Sequence, residues 1–187
     1  MSVQLELERT FLARYIPAQI GGAPSDSITD IYIPDNVEHA ELRLRKKDEQ
    51  YSLTKKELGS DGDSSQQTEH AVPLSKEEYQ QLKRLSSKRL RKRRFYTTYY
   101  GNRMEIDVFR DELEGLVMID FEFDSQQTMQ AFQPPEVCLT EVTQEDFIAG
   151  GKLAGKRFED LHDYLQKHQY QPLFIDREDF QGEVSTK

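Results

Sequence analysis

The most constraining feature of this sequence is an alternation of charged and apolar side chains at every second residue. It begins at once with LELERTFLA, in which Glu6 and Glu8 alternate with Leu5 and Leu7. Successive side chains of a β-strand point to opposite faces, so each such segment has one apolar face and one charged face. The same pattern in AELRLRKK, RMEIDVF and GLVMIDFEF predicts a chain built mainly from antiparallel strands joined by short turns.

Cap and turn signals place a few short helices between the strands. Ser75 followed by Glu78 forms a capping box before KEEYQQLKRL, whose predicted apolar stripe is Tyr79, Leu82 and Leu85. Three further segments later in the chain carry helix signals. Ser125 is predicted to cap a short helix, Thr143 with Asp146 to start another, and Phe158, Leu161 and Leu165 to form the stripe of the last helix.

The charged residues that share a strand face are mostly of one sign. A solvated face of random charge would mix the signs along each strand, so this grouping is informative. The acidic pairs are Glu6/Glu8, Glu105/Asp107 and Asp120/Glu122, the basic pairs are Arg43/Arg45 and Lys92/Arg94, and Lys56 and Glu141 stand singly.

Two arrangements accommodate these faces. In the first, a curved sheet packs its apolar face on helices and leaves the charged face in water. In the second, the sheet closes into a barrel with its apolar side outward, covered by helices, and all the charges line one lumen. Such a lumen is stable only with ligands that complete it, because buried like charges repel. A polyphosphate held by Arg and Lys, with Mg²⁺ or Mn²⁺ held by carboxylates, would be the natural complement.

Composition narrows the function classes further. The 187 residues carry a net charge of -9, so bulk attraction to nucleic acid or to an anionic membrane is not expected, despite the run KRLRKRRF. No apolar run is long enough to span a membrane, and Cys138 is the single cysteine. We expect one domain in a soluble, cytoplasmic protein that binds a small anionic substrate, as a monomer or homodimer, without nucleic acid or membrane partners.

At this point the sequence resembles the CYTH superfamily, the triphosphate tunnel metalloenzymes. Glu6 and Glu8 match its opening signature, Glu-x-Glu-x-Lys, and QEDFIAGGKLA resembles the segment that follows EVT in bacterial members. The likeness spans roughly residues 3 to 165. The other matches, in family order, are Arg43 and Arg45 in LRLR, Thr54 and Lys56 in T-x-K, Lys92 and Arg94, Glu105 and Asp107 in EIDVF, Asp120 and Glu122, and Glu141 in EVT.

The resemblance implies an α+β fold, a closed eight-stranded antiparallel tunnel with helices packed outside, over residues 1–168, followed by a tail at 169–187. We expect the chain from about residue 170 to be loosely held. The implied activity is metal-dependent hydrolysis of a linear triphosphate, with inorganic tripolyphosphate the first choice. The alternatives are a thiamine triphosphatase, a class IV-type adenylate cyclase, and a non-catalytic module that binds polyphosphate or nucleotides.

The resemblance also assigns roles to residues. Arg43, Arg45, Lys56, Lys92 and Arg94 would bind the phosphates, and Glu6, Glu8, Asp120, Glu122 and Glu141 would coordinate one or two Mg²⁺ or Mn²⁺ ions. Glu8, Arg45 and Lys56 are the candidate catalytic residues, and Glu105 and Asp107 would orient the basic side chains. Two positions depart from the family. Thr10 stands at the signature lysine, which removes one cation, and Phe147 stands where bacterial members often carry arginine.

Overall fold

The computed structural model describes residues 2–58 and 62–175. No helix in these two ranges is long and apolar enough to cross a membrane. Within them, nine strands and four α-helices form. The strands are β1 (Ser2–Ala13), β2 (Ser25–Ile33), β3 (Leu42–Lys47), β4 (Gln50–Leu58), β5 (Gln66–Leu74), β6 (Arg89–Tyr99), β7 (Asn102–Arg110), β8 (Val117–Glu122) and β9 (Cys138–Glu141). The helices are α1 (Lys76–Leu82), α2 (Gln126–Ala131), α3 (Gly150–Leu153) and α4 (His162–Lys167), and short 3-10 turns join several of the elements.

The strands close into an eight-stranded antiparallel barrel. The sheet order is β5-β4-β3-β2-β6-β7-β8-β1-β9, and a further pairing of β1 with β5 closes the ring. β1 pairs with β5 through its first half and with β8 from Glu8 to Leu12, while the short strand β9 attaches beside Phe11 to Ala13. The predicted closed barrel is therefore confirmed, and the alternative of an open sheet with a solvated charged face is wrong.

The barrel carries its apolar side chains on the outside. Phe11, Ile106 and Phe121 are almost fully buried in an outer cluster that also includes Met129 and Phe132 from the α2 region. The alternate residues on the same strands point into the lumen. Glu6 and Glu8, the acids of the opening segment, are thus inside, as the second of the two predicted arrangements requires.

A second apolar cluster covers one end of the barrel. There, the inward-facing side chains of Leu12, Leu90 and Met118 pack against Leu153 and Leu161 of the chain that follows β9. The neighbouring strands β2, β6, β7, β8 and β1 each contribute a residue to this cluster, because their antiparallel registers bring these positions to the same end. Apolar side chains therefore close the lumen at this end, and charged side chains line the rest of it.

Two glycines bring α3 close to the barrel. A Cβ on Gly150 would lie 1.9 Å from the hydroxyl oxygen of Tyr32, and one on Gly151 would lie 2.2 Å from the carbonyl oxygen of Ala40. No side chain fits at such separations, so this approach requires glycine at both positions. The pair fixes α3 against β2 and against the loop that precedes β3.

The chain just after α4 forms hydrogen bonds near the start of β8. Tyr170 is buried, and its hydroxyl donates to the Gly115 carbonyl at 2.8 Å and accepts from the Val117 amide at 2.8 Å. The Leu173 amide also donates to the Gly115 carbonyl, at 2.9 Å. Tyr170 and Leu173 are therefore anchored to the turn before β8. The boundary of the predicted tail at residue 169 stays a prediction, and residues 176–187 lie outside the described residues.

Two local predictions also need correction. Helix α1 continues as a 3-10 turn at Lys83–Leu85, which rotates Leu85 off the apolar stripe and leaves its side chain 59% exposed. Thr143 does not cap a helix. Its hydroxyl oxygen accepts from the Thr10 amide at 3.0 Å, and the residue that precedes the 3-10 turn Asp146–Ile148 is Glu145.

Candidate active site in the barrel lumen

The lumen is a highly charged cavity of about 760 Å³. Among the described residues that line it, twelve carboxylates face seven Lys and Arg side chains. This excess of negative charge inside a shielded space favours the binding of additional cations. The predicted site residues that line this cavity are Glu6, Glu8, Arg43, Arg45, Lys56, Lys92, Arg94, Glu105, Asp107, Asp120 and Glu122.

Glu141 is the predicted site residue that the structure does not bring to the others. It lies opposite Phe11 in the β1–β9 register, and Phe11 points into the outer core. Its carboxylate is paired with Arg9, with 2.9 Å between Nε and Oε1 and 2.5 Å between the second guanidinium nitrogen and Oε2. The side chain of Glu141 therefore belongs to the outer face of the barrel.

One wall of the lumen is basic. Arg43 and Arg45 come from β3, Lys92 and Arg94 come from β6, and β2 lies between these two strands. Asp30 of β2 is buried at the centre of this wall and accepts two hydrogen bonds of 2.7 Å from Arg45. Burial opposes ionisation of Asp30, but the charges of Arg45 and Arg43 outweigh it and hold the pKa of Asp30 well below its usual range.

Asp107 and Glu105 hold the β6 side of the basic wall. Asp107 accepts from Lys92 at 2.5 Å and from two nitrogens of Arg94 at 2.7 and 2.6 Å, and Glu105 pairs with Arg94 as well. Burial disfavours the Asp107 carboxylate, yet Arg94 and Lys92 hold its pKa below the usual range. Burial and the neighbouring charge of Arg94 lower the pKa of Lys92 to about 8. These contacts support the role of orienting the basic side chains.

The facing wall is acidic. Glu6 and Glu8 come from β1 and Asp120 and Glu122 from β8, and Glu8 lies directly opposite Glu122 in the register. Every one of these four carboxylates already contacts a cation of the protein. Lys56 lies 2.5 Å from Glu6 Oε2 and 3.2 Å from Glu8 Oε1, Arg94 lies 3.2 Å from Asp120, and Arg103 lies 3.1 Å from Glu122.

The carboxylate oxygens of the acidic wall are suitable ligands for a divalent cation, but the side chains are not grouped closely around one point. No three Asp, Glu, His or Cys side chains in the described part of the chain are grouped closely enough to hold an ion. However, Glu6 Oε2 is buried and accepts no hydrogen bond of normal geometry, so its contact with Lys56 is an ion pair only. Burial, and after it the charge of Asp107, raises the pKa of Asp120 to about 6.

The two departures from the family signature have different surroundings. Thr10 is buried in the acidic wall, where its hydroxyl donates to Asp120 Oδ1 at 2.8 Å. Phe147 lies in the apolar cluster that closes the barrel and stacks on Tyr164, with ring centroids 4.4 Å apart. Thr10 therefore contacts a candidate metal ligand, whereas Phe147 serves the packing of the closed end.

Sequence reasoning missed eight of the described charged residues that line the lumen, among them Asp30 and Arg103, which contact predicted site residues. Asp30 holds Arg45, and Arg103 pairs with Glu122 and, at 2.7 Å, with Glu105. The alternation contained a signal for Arg103, because it precedes Glu105 by two residues and so shares its strand face. Asp30 was a lone acid in the apolar segment ITDIYIP, and no pairwise pattern marked it.

Comparison with known proteins gives one clear relative by sequence. No family model matches the chain. The inorganic triphosphatase of Nitrosomonas europaea is 30% identical over 143 residues, which cover 75% of this chain and 90% of that protein. The similarity thus extends over nearly the whole of the relative.

Solved structures agree with the sequence comparison. The crystal structure of an inorganic triphosphatase superposes with a TM-score of 0.60 at 27% identity, covering 80% of this chain and 93% of the other. A Bacillus halodurans protein proposed to be an adenylate cyclase superposes with a TM-score of 0.53 at 15% identity, covering 95% and 97% of the two chains. At that identity, the second likeness shows the fold alone.

Proposed function

The chain belongs to the CYTH superfamily of triphosphate tunnel metalloenzymes, and from that premise we propose that it hydrolyses inorganic tripolyphosphate to pyrophosphate and phosphate. The observation that carries this proposal is the lumen, in which a basic wall on β3 and β6 faces an acidic wall on β1 and β8. A linear triphosphate carries several negative charges along its length. The two walls offer it cations on one side and ligands for its accompanying metal ions on the other.

The basic wall would bind the phosphate chain. Arg forks match phosphate oxygens in pairs, and charge-assisted hydrogen bonds of this kind are roughly twice as strong as neutral ones. Asp30 and Asp107 keep these side chains in place before substrate arrives, so little reorganisation is needed on binding. The residues assigned to this role are Arg43, Arg45, Lys56, Lys92 and Arg94.

The acidic wall would hold Mg²⁺ or Mn²⁺ through Glu6, Glu8, Asp120 and Glu122. Glu141 is left out of this set because it is paired with Arg9 on the outer face. When bound, a divalent ion supplies positive charge to the phosphate oxygens and acidifies a water ligand.

Catalysis by the chain's own residues would be mainly electrostatic. Phosphoryl transfer requires little covalent chemistry from the protein, so positioning and charge neutralisation supply most of the rate. Arg45 and Lys56 would neutralise the charge that develops on the departing pyrophosphate. The apolar cluster at the closed end keeps bulk water from entering there, which strengthens these interactions.

Phosphate release from inorganic tripolyphosphate tests the proposal. We expect release of one phosphate per molecule with Mg²⁺ or Mn²⁺ and none with a chelator. Glu8→Ala and Arg45→Ala should abolish release, whereas Glu49→Gln, in the exposed β3–β4 turn outside the lumen, should not change it. Unchanged release in the Glu8 or Arg45 variant would contradict the assignment.

The same assay separates the alternatives. Thiamine triphosphate and ATP are supplied in parallel, and cyclic AMP is sought as a product of ATP. Binding of tripolyphosphate without turnover of any of these substrates would identify the non-catalytic module instead. We further propose a cytoplasmic location and a monomer or homodimer. The single cysteine, Cys138, is buried and unpaired, which suits a reducing compartment.

A further inference from the structure

We propose that Lys56 occupies the place of the metal ion in the metal-free protein, and that a divalent ion displaces it from Glu6 and Glu8 toward the phosphate chain. This inference rests on the proposed function, because it concerns the same lumen and the same ions. It adds an order of events to that function. Lys56 contacts Glu6 and Glu8 before the metal ion binds, and it is available to bind phosphate only after the ion has displaced it.

The first support is the position of the Lys56 ammonium group. Its Nζ lies between two acids of the wall, 2.5 Å from Glu6 Oε2 and 3.2 Å from Glu8 Oε1. The ammonium group is therefore the counter-ion of both carboxylates.

The second support is that Lys56 and a metal ion need the same carboxylate oxygens. Mg²⁺ binds carboxylate oxygens at about 2.0 to 2.1 Å, which is closer than the ammonium group already lies. Two cations so near to each other in a shielded cavity repel strongly. Glu6 Oε2 accepts no hydrogen bond of normal geometry in the described structure, so only the ion pair with Lys56 would have to be broken there.

The third support is that Lys56 is free to leave, in contrast to the other resident cations. Arg94 contacts Asp120 but is also fixed by Asp107 and Glu105. Arg103 contacts Glu122 but also Glu105. Within the described residues, the ion pairs of Lys56 go only to Glu6 and Glu8. A lysine side chain is long and flexible, and its head group can move without disturbing β4.

A destination for the displaced amine lies nearby. Arg43 is close enough for its charge to act on Lys56, and both side chains face the lumen from neighbouring strands. A triphosphate held by Arg43 would therefore lie within the region that a released Lys56 can reach. By thermodynamic linkage, metal would then increase the affinity for triphosphate, and triphosphate would increase the affinity for metal to the same degree.

Metal binding in the absence of phosphate tests the exchange directly. Mn²⁺ affinity is measured by titration calorimetry for the wild type, Lys56→Met and Lys46→Met. Removal of a competing cation should make Lys56→Met bind Mn²⁺ about tenfold more tightly. Lys46→Met is the control, because Lys46 pairs with the exposed Glu49 outside the lumen, and its Mn²⁺ affinity should stay within about twofold of wild type. Equal or weaker Mn²⁺ binding by Lys56→Met would overturn the proposal.

A second measurement uses the unmutated residue, since Lys56→Met leaves two carboxylates uncompensated and could fold poorly. The ¹⁵Nζ resonance of Lys56, assigned by its loss in Lys56→Arg, should shift when Mg²⁺ is added without phosphate. A resonance that does not respond to saturating Mg²⁺ would overturn the exchange.

The two proposals fail in different ways. A wild type that binds Mn²⁺ and releases phosphate, together with a Lys56→Met variant that binds Mn²⁺ no more tightly, contradicts the exchange alone. A wild type that neither binds Mn²⁺ nor releases phosphate contradicts the triphosphatase and the exchange together.

Discussion

The Thr10 hydroxyl donates a hydrogen bond to Asp120 across the β1–β8 pair, with 2.8 Å between Oγ1 and Oδ1. In the family signature this position is a lysine that contacts phosphate. Here a short neutral side chain instead fixes the orientation of a carboxylate that we propose as a metal ligand. Loss of a partner that orients a metal ligand typically weakens metal binding by about 10- to 100-fold.

Thr10→Val is therefore expected to weaken Mn²⁺ binding about tenfold, because valine keeps the shape of threonine but cannot donate to Asp120. Thr10→Ser, which retains the hydroxyl, should bind Mn²⁺ nearly as the wild type does. Calorimetric titration of both variants makes the comparison. Wild-type affinity in Thr10→Val would show that the hydrogen bond has no part in metal binding.

Arg45 and Asp30 should behave as one energetic unit. Removal of one partner leaves a buried charge uncompensated, so Arg45→Ala and Asp30→Ala should each lower the free energy of unfolding by about 3 to 5 kcal/mol. The double variant should be destabilised by clearly less than the sum of the two. Urea denaturation of all four proteins completes the cycle, and strictly additive losses would refute the coupling. The activity of Arg45→Ala should be compared only at a temperature where it remains folded.

Lys92 should make triphosphate binding sensitive to alkaline pH. Its pKa in the folded protein is lowered from 10.5 to about 8, so the free protein loses this cation as the pH rises through about 8. The affinity for tripolyphosphate should fall above that pH in the wild type. Lys92→Arg keeps its charge, since the pKa of arginine exceeds 12, and should give a flatter profile. The ionisation of the substrate itself is common to both proteins and cancels in the comparison.

The lowered pKa of Lys92 also makes the free energy of unfolding depend on pH. Between about pH 8 and 10.5 the lysine at position 92 binds a proton in the unfolded chain but not in the folded one. Its contribution to the free energy of unfolding therefore rises with pH across this window. Urea denaturation of the wild type and Lys92→Arg at several pH values isolates that contribution as the difference between the two curves, and parallel curves would contradict it.

The glycines of α3 should tolerate no side chain. Gly151→Ala directs its Cβ at the backbone carbonyl of Ala40, and Gly150→Ala directs its Cβ at the ring and hydroxyl of Tyr32. Both should lower the melting temperature, corresponding to about 1 to 3 kcal/mol, with the larger loss at Gly151 because a backbone atom cannot rotate away. Gly21→Ala is the control, since its nearest atom is 3.3 Å away. A melting temperature of Gly151→Ala equal to that of Gly21→Ala would contradict the close approach.

The strands and the faces of their residues were predictable because one physical rule governs them, and the family resemblance implied that eight strands close into a barrel. Alternation with a period of two assigns each residue to a face, and the single sign of pairs such as Glu6/Glu8 and Arg43/Arg45 indicates that the charged face is enclosed. The lumen positions of these residues follow from that rule without any knowledge of which strands are neighbours.

The rest depends on register and on isolated contacts, which alternation does not encode. Glu141 lies on a four-residue strand whose orientation is set by its pairing with Phe11, and that pairing places it outside the barrel. Asp30 meets Arg45 because β2 and β3 pair at those two residues. The anchoring of the chain at Tyr170 depends on its phenol, which no periodic pattern could distinguish from a surface aromatic.

The pairing of β1 with three partners has a consequence for biosynthesis. β1 leaves the ribosome before β5, β8 and β9, and its pairings with the last two join residues 106 to 130 positions apart, such as Leu12 with Met118 and Phe11 with Glu141. Pairings this distant form slowly, and a nascent sheet with open edges is prone to aggregation. The carboxylates and guanidinium groups that later face the lumen are exposed to water during this interval. They would keep the unfinished sheet soluble, because charged side chains on an open edge discourage another chain from adding to it.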